Sequence, residues 1–252
     1  MARSGLRRVH FIDELRGFLI IFVVLYHLLY DLAVIFPIGI DWMFDPWMNT
    51  LRDLFTGTLI VISGISCLYS RSNIRRGFKT LGCGLILTAA TYFFMPGQII
   101  LFGILHFFGC AMLLYSLLER PFSKVPTAVG LPLSFLLFFF TRDLYYGTAG
   151  LFGLNFNMPA FLYGRPWLFP LGFSCAGVYS SDYYPILPWI FLFFAGAFLS
   201  RIVRAGRAPE FLYRRHCPPL SFIGKHTLLI YMVHQPILYG VLYLIFKVIL
   251  KF

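Results

Sequence analysis

Long stretches of apolar residues alternate along this chain with connecting segments, here called joints, that are rich in charged residues or in Pro and Gly. An α-helix needs about 20 predominantly apolar residues to cross the hydrocarbon core of a bilayer. The pattern therefore predicts an all-α fold, a polytopic transmembrane helix bundle of about seven spans. The predicted spans are 17–36, 51–70, 80–96, 98–118, 125–140, 185–200 and 221–250. Pro236 lies inside the last run and is expected to kink or break that helix.

The basic residues provide a test of this count, because the cytoplasmic joints of membrane proteins carry an excess of Lys and Arg. With the N-terminus inside, most of the 21 basic residues fall in the inner joints. The inner set is Arg3, Arg7, Arg8, Arg16, Arg71, Arg75, Arg76, Lys79, Arg120, Lys124, Arg201, Arg204, Arg207, Arg214, Arg215 and Lys225. The pattern predicts that the N-terminus is inside and the C-terminus outside.

A long aromatic stretch, residues 141–184, could upset this orientation. If part of it crossed the membrane, the six basic residues from Arg201 to Lys225 would move outside, against the charge rule. Its many Gly and Pro residues also disfavour a lipid-facing helix. We expect an outer loop that dips into the membrane interface.

Composition agrees with a membrane protein. The chain is 59% hydrophobic and 12% charged, whereas soluble domains contain about 25% charged residues. We predict a single transmembrane domain, 1–252, in the lipid bilayer. The net charge of +11 is spread over joints close to the membrane, so we expect no nucleic-acid partner. The five cysteines stand singly and are interpreted as small core residues.

The first apolar run carries two ionisable side chains, His27 and Asp31, in the stretch LIIFVVLYHLLYDLAVIF (19–36). A rise of about 1.5 Å per residue from Arg16 places His27 near mid-bilayer, and residues four apart share a helix face. Ionisable groups at that depth usually face a bundle interior or a watery cavity. The pair either fixes helix packing by a hydrogen bond, or is a histidine base whose protonated form the carboxylate stabilises.

Two further histidines lie at comparable depth in other spans, His106 in LFGILHFFG and His234 in LLIYMVHQP. Either one alone is explained as a buried core histidine. Together with His27 they predict one polar cavity, so His27, Asp31, His106 and His234 are the candidate catalytic residues. No two histidines have metal-ligand spacing within one helix, and we expect no metal.

Four motifs in order resemble a known family. The opening RVHFIDELRGFLIIFVVLYHLLYDL (8–32) resembles that of the heparan-alpha-glucosaminide N-acetyltransferase catalytic family, in its small prokaryotic branch. RDLFTGTLIVISGIS (52–66) resembles the family's second helix, and SSDYYPILPW (180–189) resembles a loop leading into a helix. FIGKHTLLIYMVHQPIL (222–238) resembles the terminal helix of membrane acyltransferases.

The resemblance implies transfer of an acetyl group from cytosolic acetyl-CoA, across the membrane, to a sugar amine or hydroxyl. A cell-envelope glycan or lipid-linked sugar suits this branch, with the protein in the plasma membrane and a homodimer compatible with this function. CoA phosphates would lie at the basic inner rim, with Asp13 orienting Arg16. The candidate residues are Asp13, Arg16, Arg71, Arg75 and Arg76 for CoA, and Asp41, Asp53 and Asp182 on the acceptor side. For Asp13 and Arg16 the simpler explanation is a helix-start acid and a topology anchor.

One departure from the family bears on the catalytic base. The lysosomal members carry their proposed catalytic histidine between the first two helices, where residues 37–53 of this chain contain none. In register from the Arg-Gly pair, His27 falls at a polar asparagine of those members. Three alternatives stay open: His27 supplies the base, another group such as Asp41 does, or the chemistry differs.

A proton-coupled membrane transporter is the alternative function, because intramembrane His and Asp also form proton relays. The sequence shows no clear inverted repeat of the kind many carriers have, which favours the enzyme. A purely structural membrane protein is a third class, and the three histidines at mid-depth argue against it.

Overall fold

The computed structural model describes residues 7–36 and 38–251, so Arg3 of the predicted inner basic set lies outside the described residues. Helices dominate the described chain, which confirms the all-α prediction. They are α1 His10–Tyr30, α2 Pro46–Ser66, α3 Asn73–Phe94, α4 Ile104–Lys124, α5 Thr127–Phe140, α6 Ile186–Arg204, α7 Pro218–Lys225 and α8 Thr227–Tyr243. The strands β1 Thr148–Leu151 and β2 Leu154–Asn157 form one antiparallel hairpin.

Six segments of the described residues are long and apolar enough to cross a membrane. They are His10–Ile35, Pro46–Tyr69, Asn73–Phe94, Thr127–Tyr146, Ile186–Arg204 and Thr227–Ile249. The protein is therefore a multi-pass helical membrane protein. The helix α4 overlaps the remaining predicted span, 98–118, but begins and ends later in the chain. It is not in this set, and its last turns carry Glu119, Arg120 and Lys124.

Most helix ends differ from the predicted runs by several residues, and two of these differences are informative. The helix α1 begins at His10, before the predicted apolar run 17–36, so the DELRG segment is part of the helix. The last run divides at His226 into α7 and α8, and α8 continues through Pro236 without ending there. Apolar patterning misses the first difference because the opening turns of α1 are polar at Asp13, Glu14 and Arg16.

The chain forms two compact units, Met1–Leu59 with Ala208–Phe252, and Ile60–Arg207. In the first unit α1 crosses α7 at two glycines. A methyl group at Gly17 would overlap the carbonyl oxygen of Leu220, and one at Gly224 would overlap that of Asp13. Only residues without a side chain allow the two backbones to approach this closely.

Beyond this crossing, α1 and α8 of the first unit run parallel to each other. The contacting pairs are His27 with His234, Asp31 with Gln235 and Phe36 with Tyr239. Residue numbers rise together on both helices, which defines the parallel direction. After Tyr30 the helix α1 widens into a π-helical turn, Asp31–Ile35, in which the Phe36 N–H donates to the Asp31 carbonyl at 2.9 Å.

In the second unit α3 and α4 pack antiparallel along most of their length. The packing is close, because a methyl group at Gly77 would lie 3.1 Å from the Gly109 carbonyl oxygen and one at Gly84 would touch the His106 ring. The helices α5 and α6 are also antiparallel, with Gly130 against Phe198 near one end and the rings of Phe138 and Trp189, 5.5 Å apart, near the other.

The helices α4 and α6 of the second unit are parallel. Tyr115 lies 6.3 Å from Phe193, and further along both helices Phe122 stacks on Phe198 at 4.1 Å. Arg201 closes this end of the pair, because its guanidinium donates to the carbonyls of Phe122 and Val125 at 2.6 Å each.

The segment predicted as an outer loop, 141–184, contains no helix of spanning length among its residues, all of which are described. It consists of short 3-10 turns and the β1–β2 hairpin around a small core of Leu144, Ala149 and Phe173. Tyr183 stacks on Phe169 at 4.3 Å and donates its hydroxyl to the Phe169 carbonyl at 2.6 Å. Burial raises the pKa of the Tyr183 phenol, which keeps it a donor.

Candidate active site

Two histidines meet inside the first unit, on the parallel helices α1 and α8. The ring centroids of His27 and His234 are 4.8 Å apart and the rings are nearly perpendicular, at 80°. His234 is buried and His27 is half-buried. Two of the histidines predicted to share a cavity are thus brought into contact.

Backbone carbonyls fix the tautomers of both rings. His27 Nδ1–H donates to the Val23 carbonyl at 2.8 Å, and His234 Nδ1–H donates to the Tyr231 carbonyl at 2.7 Å. A carbonyl can only accept, so Nδ1 must carry the hydrogen in each case. In the neutral form, Nε2 of His27 is then the nitrogen with a lone pair, which is what a general base requires.

Asp31 has a different partner from the one expected. Its Oδ1 accepts a hydrogen bond from Gln235 Nε2 at 2.7 Å, while His27 is held by Val23. Asp31 is fully buried, at 0% exposure, and its Oδ2 has no hydrogen-bond partner among the described residues. A main-chain carbonyl, and not Asp31, therefore fixes the tautomer of His27 in this structure, and stabilisation of a protonated His27 by Asp31 stays a prediction.

Gln235 was missed by the sequence analysis. It follows His234 directly in LLIYMVHQP, and an amide inside an apolar run is the signal that could have identified it. Its Oε1, like Asp31 Oδ2, is buried and has no hydrogen-bond partner in the described part of the chain.

Asp13 connects two arginines near the start of α1. Its Oδ2 accepts from Arg8 Nε at 2.8 Å, and its Oδ1 accepts from Arg16 Nη1 at 3.3 Å. The same Arg16 nitrogen lies 3.4 Å from the Gly224 carbonyl on α7. Asp13 therefore contacts Arg16, as its predicted role in orienting that arginine requires, and Asp13 itself is buried.

Glu14, next to Asp13, was also missed by the sequence analysis. It is buried, and its Oε1 accepts the backbone N–H groups of His216 and Cys217 at 2.8 and 2.9 Å. These amides precede α7 directly, where the N–H groups of a helix lack partners of their own. The DELRG segment therefore anchors α7 as well as positioning Arg16.

An exposed ion pair ties the two chain segments of the first unit together outside the spans. Arg7 donates to both carboxylate oxygens of Glu210, at 2.9 and 2.7 Å. The hydrogen bonds from Arg7 lower the pKa of the Glu210 carboxyl. Exposed pairs of this kind contribute little stability, so we assign it a local tethering role.

His106 lies in the second unit and has hydrogen bonds on both ring nitrogens. Its Nδ1 accepts the Gly103 N–H at 3.2 Å, and its Nε2–H donates to Thr88 Oγ1 at 3.1 Å. Thr88 in turn donates to the Ile100 carbonyl at 2.7 Å. His106 is the third residue after Gly103, the N-cap of α4, and its bond to the Gly103 N–H makes it a capping residue of that helix.

Asp182 serves the same helix start. Its Oδ2 accepts the Ile104 N–H at 2.9 Å, a favourable position for a carboxylate because the N-terminus of a helix is electropositive. Ser180 and Ser181 bind backbone groups of the preceding loop, residues 98–102. The SSDYYP motif therefore holds the start of α4.

The remaining predicted residues lie in exposed or half-buried positions. Ser72 caps α3 through the Arg75 N–H, and Arg76 donates to the Ser66 carbonyl at 3.4 Å. Arg71 and Arg75 are exposed, as is Asp41 in its short 3-10 turn. Asp53 pairs with its neighbour Arg52 at 2.9 Å. Among the described residues no group of three or more His, Cys, Asp and Glu side chains could hold a metal ion.

These observations define a class: a multi-pass helical membrane protein with two histidines in contact between two spans. The family model of heparan-alpha-glucosaminide N-acetyltransferase, catalytic, matches residues 8–236. The chain belongs to this family. No curated protein and no solved structure matches it.

Proposed function

We propose that this protein is a plasma-membrane acetyltransferase that uses cytosolic acetyl-CoA. The acceptor is an amine or hydroxyl of an extracytoplasmic glycan or lipid-linked sugar. The observation that carries the proposal is the contact of His27 with His234 between two spans of a chain that belongs to an N-acetyltransferase family. CoA thioesters do not cross membranes unaided, whereas a site within a span can be reached from both sides.

His27 is the proposed base. Its Nε2 takes a proton from the acceptor amine or hydroxyl as the acceptor attacks the thioester carbon. The carbon–sulfur bond then breaks, and the proton on Nε2 passes to the departing CoA sulfur, so that the imidazole is regenerated. The alternative is that Nε2 itself attacks and carries the acetyl group before the acceptor takes it. The Val23 carbonyl holds the ring in the required tautomer for either route.

The directions of the helices support the proposed topology of seven crossings. The parallel packing of α1 and α8 means that the first and last spans cross in the same direction, which requires an odd number of crossings. The six most apolar segments together with α4 make seven. The directions of α3, α4, α5 and α6 within the second unit agree with this alternation. With the positive-inside rule, the N-terminus is inside and the C-terminus outside.

The basic inner residues are the proposed contacts for CoA phosphates. In the first unit Arg16 is positioned by Asp13 and the Gly224 carbonyl. In the second unit Arg71, Arg75 and Arg76 lie at the start of α3, with Arg71 and Arg75 exposed. Guanidinium groups suit phosphate because their N–H groups match its oxygens in pairs. On the outer side, Asp41 and Asp53 of the first unit remain proposed acceptor contacts.

The proposal is tested with the purified protein in liposomes and acetyl-CoA labelled in the acetyl group. We expect saturable binding of acetyl-CoA and label in glucosamine or glucose supplied as the acceptor. If the protein shows no binding of acetyl-CoA and no acetyl transfer, the proposal is overturned. Proton-coupled uptake of a solute in the same liposomes, without use of acetyl-CoA, would identify a transporter.

A further inference from the structure

Asp31 and Gln235 carry a pair of hydrogen-bond acceptors that the rest of the described chain does not use. The two side chains join through one bond, from Gln235 Nε2 to Asp31 Oδ1 at 2.7 Å. Asp31 Oδ2 and Gln235 Oε1 stay buried with no hydrogen-bond partner in the described residues. Buried polar atoms in proteins are nearly always paired, so two such oxygens on adjoining side chains call for an explanation.

A purely structural role explains this arrangement poorly. A hydrogen bond that only fixed the packing of α1 on α8 would be served by two neutral side chains, whereas a carboxylate is the costliest choice inside a span. Asp31 is fully buried, at 0% exposure. It also begins the π-helical turn Asp31–Ile35, and π-helical turns within α-helices are frequent at functional sites.

The position of the pair relates it to the histidines. Asp31 lies four residues after His27 on α1, which is about 6 Å along the helix axis. Gln235 follows His234 directly on α8. The same two helices therefore carry the proposed base and, one turn further toward the predicted outer side, two oxygens that can only accept hydrogen bonds.

We propose that Asp31 and Gln235 bind the acceptor at the group that receives the acetyl. Asp31 Oδ2 and Gln235 Oε1 accept hydrogen bonds from a second N–H of a reacting amine or from sugar hydroxyls next to the reacting group. One hydrogen of the reacting nitrogen or oxygen is then left to face His27 Nε2. The ligand class is a sugar amine or hydroxyl, because both groups donate hydrogens and two acceptor oxygens cannot bind a group that only accepts. This inference rests on the proposed function and assigns the acceptor-binding residues of the same site.

The test measures acceptor binding apart from transfer. Wild-type protein in detergent is titrated with labelled glucosamine and labelled glucose, and the dissociation constants are compared with those of Asp31→Asn and Gln235→Leu. Asn keeps the size of Asp and one carbonyl oxygen, but an NH₂ group replaces the second acceptor. We expect each variant to weaken binding of the preferred probe at least tenfold, and KM for that probe to rise more than kcat falls.

A matched control is Asn49→Leu, which removes an amide from the same unit on α2 and outside the described site. Its dissociation constants are expected to equal those of the wild type. Thermal unfolding of every variant confirms that it is folded, and Asp31→Asn is the more conservative of the two if Gln235→Leu fails to fold.

Wild-type affinity in both folded variants, or no binding of either probe by the wild type, overturns the inference. These outcomes are distinguishable from failure of the proposed function. A protein that transfers acetyl groups with unchanged KM in Asp31→Asn remains an acetyltransferase with its acceptor contact elsewhere. A protein that binds the probes through Asp31 but does not use acetyl-CoA contradicts the proposed function alone.

Discussion

The imidazoles of His27 and His234 meet edge to face, 4.8 Å apart, and each donates its Nδ1–H to a carbonyl of its own helix. This geometry leaves Nε2 as the basic nitrogen of a neutral His27. Of the two rings, His27 is the more exposed and His234 is buried. His27 is therefore the better placed of the two to receive a proton from a bound acceptor, with His234 packed against its ring.

The first prediction is that His27→Ala lowers kcat for acetyl transfer by a factor on the order of 10²–10⁴, the usual contribution of a general base. The measurement is label transferred from acetyl-CoA to acceptor at saturating concentrations, with thermal unfolding as the folding check. His226→Ala is the control, because His226 Nδ1 makes the same kind of bond, to the Phe222 carbonyl at 2.9 Å, at an exposed position. Near-wild-type transfer by folded His27→Ala would remove His27 from the mechanism.

The second prediction concerns the basic residues at the start of α3. Reversing the charge with Arg75→Glu together with Arg71→Glu should weaken CoA binding, because fewer cations then attract its phosphates. The remaining binding should also depend less on salt, since screening acts on the attraction that was lost. Titration of CoA at several ionic strengths measures both effects.

The control for this prediction is Arg142→Glu, an exposed arginine of the predicted outer loop that lies 3.8 Å from Asp143. Its CoA affinity and salt slope should match those of the wild type. If the double variant behaves like Arg142→Glu, the α3 arginines serve only as determinants of membrane orientation.

Much of the fold follows from the sequence, because hydrophobic length alone decides whether a segment suits a bilayer. Each candidate span overlaps one of the predicted runs, although several begin or end some residues away from it. The prediction was least accurate where polarity hides a helix. The first turns of α1 are polar, yet they are helical. Glu14 there accepts hydrogen bonds from the backbone just before α7, and Asp13 binds Arg8 and Arg16.

The site was predicted less completely than the fold. Depth along a helix is readable from residue number, and it brought His27 and His234 to the same level. The partner of a side chain depends on the rotation of each helix, which apolar runs do not fix. Asp31 therefore contacts Gln235 on the neighbouring helix, and His106 is engaged by the α4 start and Thr88.

The third prediction is that His106 acts on stability. His106→Ala leaves the Gly103 N–H and Thr88 without their bonds to the ring and should destabilise the protein by about 1 kcal/mol, as loss of a helix cap does. His106→Asn, which can still accept the Gly103 N–H, should recover part of this loss. Thermal unfolding in detergent ranks the three proteins. Equal stability of His106→Ala and the wild type would exclude the capping role.

The fourth prediction is that α4 crosses the membrane. In a chain whose five cysteines are replaced by alanine, Gly97→Cys precedes α4 and Ser123→Cys lies near its end, both at exposed positions. An impermeant thiol reagent applied to intact cells should label Gly97→Cys and leave Ser123→Cys unlabelled until the cells are opened. Identical labelling of the two sites would mean that α4 does not cross, and the odd number of spans would need another origin.

The fifth prediction is that Gly17 is required for the close packing of α1 on α7. An added methyl group would overlap the Leu220 carbonyl oxygen and lie 3.1 Å from the Gly224 nitrogen, both backbone atoms that cannot rotate away. Gly17→Ala should therefore destabilise the protein by about 1–3 kcal/mol, the usual cost of overpacking.

Gly240→Ala is the matched control on α8, because a methyl group there meets nothing within 4 Å. Alanine also restricts the unfolded chain, so this control should unfold at the same temperature or slightly higher, with a gain of at most about 1 kcal/mol. Thermal unfolding of both variants in one detergent gives the comparison, and equal unfolding temperatures would show that the helices can separate enough at Gly17 to admit a side chain.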